Sequence, residues 1–226
     1  MSGAPSSWST VWSAVLDAAS AGPGTALLDV GCGEGALCAC AAARGALVHG
    51  IDIEPDAIAV AVERVPRGDF RIGMMEALPW PDAAFDVVTG LNAFQYAMDV
   101  DDALQEARRV TRPGGRVVVC RWGAPSDNEL MGYLRSLTGA GGPDEALAAP
   151  DAVDDAIARS RLTVVATGEI PLSVDFDDDA SLARALGAAG IDATPAALAA
   201  AGPHRREDGG YRFSNRMRLR VLQAAG

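Results

Sequence analysis

Residues 27–35 read Leu27-Leu28-Asp29-Val30-Gly31-Cys32-Gly33-Glu34-Gly35: an apolar run, then glycine at alternate positions, followed by an Ala-rich stretch up to Arg44. A short apolar run closed by glycines is the pattern of a buried strand, and the stretch behind it is the pattern of a helix. Glycine lets the chain turn sharply and lets a ligand approach the backbone closely, because no Cβ intervenes. The helix that opens there presents N–H groups with no intrahelical partner. The segment therefore predicts a strand–loop–helix unit with a ligand against its loop. Asp52 closes the next apolar run (46–51). A carboxylate roughly 20 residues beyond such a loop is placed to accept hydrogen bonds from both hydroxyls of a ribose. Spacing alone leaves the ligand open: the loop is G-x-G-x-G, but Ala36 stands where a dinucleotide loop has its third glycine, and alanine is accepted there.

The flanking sequence repeats the alternation. Trp8, Trp12, Val15 and Leu16 recur at helical spacing over 7–20, and Gly22-Pro23-Gly24 ends that helix. Strands are expected at 26–30, 46–51, 69–73, 85–90 and 116–122. Helices are expected at 34–44, 55–65 and 100–111, with a turn at Pro113-Gly114-Gly115. Strand and helix in turn imply a parallel sheet covered on both faces, because each right-handed crossover needs a helix. The second half is less regular. It predicts helices at 127–137, 151–159, 180–188 and 194–200, a flexible connection at 139–143, and a strand at 162–174 with an irregular end. A last strand is expected at 211–222, with Tyr211, Phe213, Asn215, Met217, Leu219 and Val221 on one face and arginines on the other.

Composition narrows the classes. At 226 residues, half of them hydrophobic, the chain is long enough for one sizeable core. A formal net charge of −11 argues against a nucleic-acid partner, and the arginines at 212, 216, 218 and 220 alternate along a strand with acids available to them. Cys32, Cys38, Cys40 and Cys120 show no zinc-ligand spacing, and only His49 and His204 could join them, so no metal is expected and the thiols read as small buried hydrophobes. Residues 1–10 are polar, with no basic-then-apolar leader, and no apolar run reaches membrane-spanning length. A cytoplasmic location, no membrane partner, and a monomer or homodimer are the expectations.

Four segments, in order, resemble the class I S-adenosyl-L-methionine (SAM)-dependent methyltransferases, within them the small bacterial type related to the ubiquinone/menaquinone-biosynthesis enzymes. They are Leu27–Gly35; Gly50-Ile51-Asp52-Ile53; Glu76-Ala77-Leu78-Pro79-Trp80-Pro81-Asp82-Ala83-Ala84-Phe85-Asp86-Val87-Val88; and Arg109-Val110-Thr111-Arg112-Pro113-Gly114-Gly115-Arg116-Val117-Val118-Val119. None is specific alone; together they cover about residues 25–122. The resemblance implies a single Rossmann-like α/β domain over 1–226, doubly wound, with a seven-stranded mostly parallel sheet in the order 3-2-1-4-5-7-6 and strand 7 antiparallel. It implies SAM as cofactor. Asp29, Gly31, Cys32, Gly33 and Gly35 would hold its methionine part and Asp52 its ribose. Ile53 and Met75 would flank the adenine with Glu76 at the edge, and Leu91 and Asn92 would approach the sulfonium. The family's usual acid for the adenine amino group is replaced by Met74, leaving that group to packing, backbone or Glu76.

Methyl transfer from a sulfonium needs chiefly proximity and alignment. No histidine stands after the fourth strand, where 92–96 read Asn-Ala-Phe-Gln-Tyr. Asn92, Gln95 and Tyr96 are the candidates to orient an acceptor, and Phe94, Trp8, Trp12 and Trp122 the candidates to line its pocket. The N-terminal helix and residues 123–160 would form a substrate cap. The resulting expectation is methylation of nitrogen or oxygen of a small metabolite, in specialised biosynthesis, with nitrogen favoured because no strong base is visible. Two other classes fit parts of the pattern: a SAM-binding protein without methyl transfer, and a nicotinamide-dependent oxidoreductase. The latter lacks the lysine that a Tyr/Lys hydride site requires, since the chain has no lysine.

Overall fold

The computed structural model describes residues 6–138 and 150–224. Its frame is set by strands too apolar to face water on either side. β1 (Ala26–Val30) is buried from Leu27 onward, and it lies between β2 (Leu47–Asp52) and β4 (Phe85–Leu91), parallel to both. β3 (Asp69–Ile72) extends the sheet beyond β2, and β5 (Thr111–Trp122) lies beyond β4, both parallel. β7 (Tyr211–Ala224) runs antiparallel between β5 and β6 (Leu162–Phe176), giving the order β3-β2-β1-β4-β5-β7-β6. This is the topology that the resemblance implied.

Each face carries its own core. On one, α1 (Ser6–Ala19), α2 (Ala36–Ala43) and α3 (Pro55–Arg64) bring Val11, Val15, Leu16, Leu37, Cys38 and Ile58 onto Leu27, Val87, Val118 and Met217. On the other, α4 (Val100–Val110) and α6 (Pro150–Arg159) pack Ala103, Leu104, Ala107, Val153, Ala156 and Ile157 onto Leu28, Val88, Val117 and Leu222. A third cluster joins α5 (Glu129–Thr138), α7 (Asp179–Ala188) and α8 (Pro195–Ala200) to Tyr211 and Phe213 of β7. The Asp177–Asp179 run starts α7 as expected: Asp178 caps the helix and Ser181 returns the bond, a capping box.

Three expectations need correction. The Pro113–Gly115 turn is a bulge inside β5: Phe85 pairs with Thr111 but Val87 with Arg116, and Gly114 takes φ +77° to carry the extra residues. The irregularity in β6 lies near its start, between Val164 and Ala166, rather than at its end. Within segment 123–160, α6 belongs to the helical layer against α4, because its Val153, Ala156 and Ile157 are buried there. The expected connection at 139–143 lies outside the described residues. Along β7, Arg212 pairs with Asp175, Arg216 with Glu169 and Arg220 with Asp154, so opposite charges account for most of that basic series. Among the described residues no helix is long and apolar enough to cross a membrane.

Two glycines separate packing from flexibility. A Cβ on Gly90 would sit 2.4 Å from the fully buried ring of Phe94, whereas one on Gly187, in α7, meets nothing within 4 Å. We expect Gly90→Ala to lower unfolding stability by about 1–3 kcal/mol through overpacking. Gly187→Ala should raise it by up to about 1 kcal/mol through helix propensity. Urea unfolding of the two variants beside the parent measures both.

Candidate active site

The parallel strands β1, β2 and β4 end together at one edge of the sheet, where open α/β folds bind their ligands. The glycine loop is held there by backbone bonds: Gly31 and Cys32 N–H both donate to the Ile51 carbonyl, at 2.9 and 3.0 Å. Gly31 takes φ +68°, and a Cβ on it would lie 2.6 Å from that of Ala93, so only glycine fits. Asp52 fixes the neighbouring tips. Its Oδ2 accepts from Gly33 N–H at 2.7 Å, its Oδ1 from Glu54 N–H at 3.1 Å, and its carbonyl from Gly73 N–H at 2.9 Å.

These tips surround a cavity of about 560 Å3, within the range of small-molecule and cofactor sites. Of the residues singled out from the sequence, Gly31, Asp52, Ile53, Met74, Met75, Glu76, Asn92 and Tyr96 line it. Sequence reasoning missed Glu54, Gly73, Ala93, Ala97 and Met98. Nothing in a loop such as 97–98 marks it as a wall, although Met98 is 86% exposed at the rim. The walls are apolar, formed by Ile53, Met74, Met75 and Met98, with Asp52 among the few polar groups between them. That combination suits a flat purine joined to a ribose. Glu76 is partly committed: its Oε1 accepts from Met98 N–H at 2.6 Å and Asp99 N–H at 3.4 Å, which ties the start of α4 to the cavity.

Other expected site residues are set back. Gly35 caps α2 at φ +74°, and a Cβ on it would touch Ala61 at 3.0 Å, so it serves the approach of α2 to α3. Cys32 is buried, with its thiol toward the Gly33 carbonyl, and Leu91 packs on the core of α1 and α2. Phe94 is wholly buried against Gly90 and cannot line an acceptor pocket, which corrects that expectation. Gln95 is half-buried, its Nε2 without a hydrogen bond, while Tyr96 is 53% exposed at the mouth. Asn92, at φ +52°, donates its N–H to the Cys120 carbonyl and accepts from Trp122 N–H through Oδ1 at 3.1 Å, locking the ends of β4 and β5 together. Trp8 meets Trp122 edge-on at 5.8 Å, and Trp12 packs on the same core, so both anchor α1. His49 packs edge-on to Trp80 and Phe85. His204 lies on the Phe213 ring, 4.4 Å between centroids.

Residues 28–119 match the family described as "Methyltransferase domain". Over that stretch the chain is similar to the class I SAM-dependent methyltransferases. It is 37% identical over 116 residues to a malonyl-[acyl-carrier protein] O-methyltransferase of Serratia marcescens, covering 51% of this chain and 46% of that one. It is 37% identical over 105 residues to a demethylmenaquinone methyltransferase of Tropheryma whipplei, covering 45% and 44%. The chain thus spans about half the length of the curated relatives it matches. A geranyl diphosphate C-methyltransferase of Streptomyces coelicolor, solved with S-adenosyl-L-homocysteine, superposes with a TM-score of 0.61 over 96% of this chain and 76% of that one, at 18% identity. SAM is the cofactor of that family, and the cavity would fit it by size, by the close-approach loop and by the carboxylate beside it.

Asp29 lies beneath the glycine loop, 3% exposed, accepting from Thr89 Oγ1 at 2.7 Å and facing the Cys38 thiol at 3.7 Å. Burial raises its pKa from 3.8 to about 7, against the opposing bonds from Thr89 and Cys38 and with a smaller push from Asp52. Burial and the neighbouring Cys32 hold the Cys38 thiol protonated, and burial pushes Cys120 up to about 12, so these are inert thiols. Because the folded pKa of Asp29 exceeds its unfolded value, the native state holds the extra proton between about pH 4 and pH 7. Stability is therefore lost as pH rises through that window and stays lower above it. Asp29→Asn keeps an acceptor for Thr89 without the charge. Its stability advantage over the parent should grow by about 2.5 kcal/mol from about pH 5 to about pH 8 in urea unfolding. A constant difference would show that Asp29 titrates normally.

Proposed function

We propose that the protein transfers the methyl group of SAM to nitrogen or oxygen of a small-molecule metabolite in specialised biosynthesis. The observation that carries this reading is the cavity at the ends of β1, β2 and β4: apolar walls of Ile53, Met74 and Met75 with Asp52 between them, beside a loop that only glycine can form. Asp52 would hold the ribose hydroxyls, Ile53 and Met75 the adenine faces, and the Gly31–Gly33 backbone the methionine part. Bound there, the sulfonium supplies an activated methyl carbon, so alignment and exclusion of water are left to the chain.

The acceptor would enter on the side of Asn92 and Tyr96. Asn92 is well suited to alignment, because its side chain is already fixed to the Trp122 backbone. α1, through Trp8 against Trp122, and the chain following β5 would cover this side as a cap on one domain spanning the sequence. Nitrogen is the favoured acceptor atom, since an amine needs only to arrive deprotonated and no histidine lines the cavity. The relatives include enzymes named for oxygen and for carbon acceptors, so oxygen stays within the reading. We place the protein in the cytoplasm, acting as a monomer or homodimer without nucleic acid.

Calorimetric titration with S-adenosylhomocysteine, with NAD as control, tests the cofactor. Micromolar binding of the former alone is expected. Asp52→Ala should weaken it about ten-fold or more, because a charge-assisted bond pair is lost. Asp52→Asn, which keeps an acceptor for Gly33, should fall between the two. Binding of NAD but not of S-adenosylhomocysteine would sink the reading. Methylated product from an amine panel, read by mass spectrometry, then separates an enzyme from a SAM-binding protein.

A further inference from the structure

We propose that the groove between α4 and α6, on the outer face of the helical layer, binds a small oxyanion: a phosphate ester or a carboxylate-bearing metabolite. The groove encloses about 350 Å3 and is lined by Asp101, Gln105 and Arg108 of α4 and by Arg159, Ser160 and Arg161 at the end of α6. Asp101, Gln105 and Arg108 fall on one helical face by their spacing. Three guanidinium groups therefore face one carboxylate, in a chain whose net charge is −11.

That carboxylate is already taken. Arg159 holds Asp101 through two parallel bonds, Nε to Oδ1 at 3.0 Å and a terminal nitrogen to Oδ2 at 2.7 Å. Arg108 and Arg161 form no hydrogen bond or ion pair among the described residues, and the Nε of Arg108 is buried without an acceptor. Most of the described arginines end on acids, as Arg44 does on Asp17, Arg109 on Glu106, Arg205 on Asp179 and Arg212 on Asp175. A cation in the last turn of a helix offsets the helix dipole, which explains why Arg108 and Arg159 are tolerated there. It does not explain a guanidinium nitrogen withdrawn from water with nothing to receive its proton, a loss that an oxyanion would reverse. Guanidinium forks match phosphate and carboxylate oxygens in pairs, and Gln105 adds a neutral donor. The groove is separate from the cofactor cavity, yet α4 joins them, since its first turn is tied to Glu76.

The test is calorimetry of the full chain with inorganic phosphate, and in a second arm with malonate, against sodium chloride of equal ionic strength. One saturable equivalent is expected in one arm, which also tells phosphate from carboxylate. Arg108→Gln and Arg161→Gln should each weaken it about ten-fold or more. Arg67→Gln, an exposed arginine outside the groove, should leave it unchanged. Absence of saturation in both arms, or equal weakening by all three substitutions, overturns the proposal, the latter showing diffuse charge attraction. Urea unfolding without phosphate confirms that the variants fold. S-adenosylhomocysteine titration of the same samples tells the two readings apart: its failure in the parent chain removes the methyltransferase reading and leaves the phosphate result standing.

Discussion

Asp52 is where the site and the fold meet. One residue at the end of β2 bonds to Gly33 in the loop after β1, to Glu54 at the cap of α3, and through its carbonyl to Gly73 after β3. These are three of the tips that surround the cavity. The glycine loop is thus held twice over, by the Ile51 carbonyl and by the Asp52 side chain, and its left-handed residues are over-determined by the surroundings. A ligand that donates hydrogen bonds to Asp52 must share its oxygens with the Gly33 and Glu54 amides. Cofactor binding and loop conformation are therefore coupled through a single carboxylate.

A second interaction explains why separated stretches of sequence occur together. Arg109, in the last turn of α4, donates to the Leu78 and Trp80 carbonyls at 2.9 and 2.8 Å and pairs with Glu106 and Asp82. Glu106 in turn accepts from Leu78 N–H. The segment 76–82 is clamped across α4, and at its start Glu76 receives Met98 and Asp99. Glu76–Val88 and Arg109–Val119 read as two independent signatures, yet they are two sides of one clamp. It fixes the polypeptide that carries Met74 and Met75 to the cavity wall.

The strands and helices of the first half were legible because most strands are short apolar runs, the helices carry apolar positions at helical spacing, and glycine or proline stands near many of their ends, so little tertiary information was needed. What the sequence could not show was direction. Phe94 and Tyr96 lie two residues apart in one short turn; one fills the space left by Gly90 and the other stands at the cavity mouth. Gly35 shares its spacing with Gly31, but Ala61 decides its role and Ala93 decides that of Gly31. The Pro113–Gly115 turn dissolved into a bulge because β5 begins directly at the end of α4 and has to recover its register with β4. The setting of His204 was not legible because its partners, Phe213 and Glu129, are distant in sequence.

The same distinction bears on chemistry. A site for an activated methyl donor asks for geometry more than for acids and bases, and the groups here are arranged accordingly. Asp29, the most perturbed carboxylate, is sealed under the loop with Thr89 and Cys38 and has no route to an acceptor proton. Its neutral form at or below neutral pH spares the buried core a charge, so its role is to support the loop from beneath. In the proposed reaction alignment would fall instead to Asn92, whose backbone is held by Cys120 and whose side chain is held by Trp122. Trp122 also anchors α1 through Trp8. The end of β4, the end of β5 and the helix over them are thus tied together at Asn92 and Trp122.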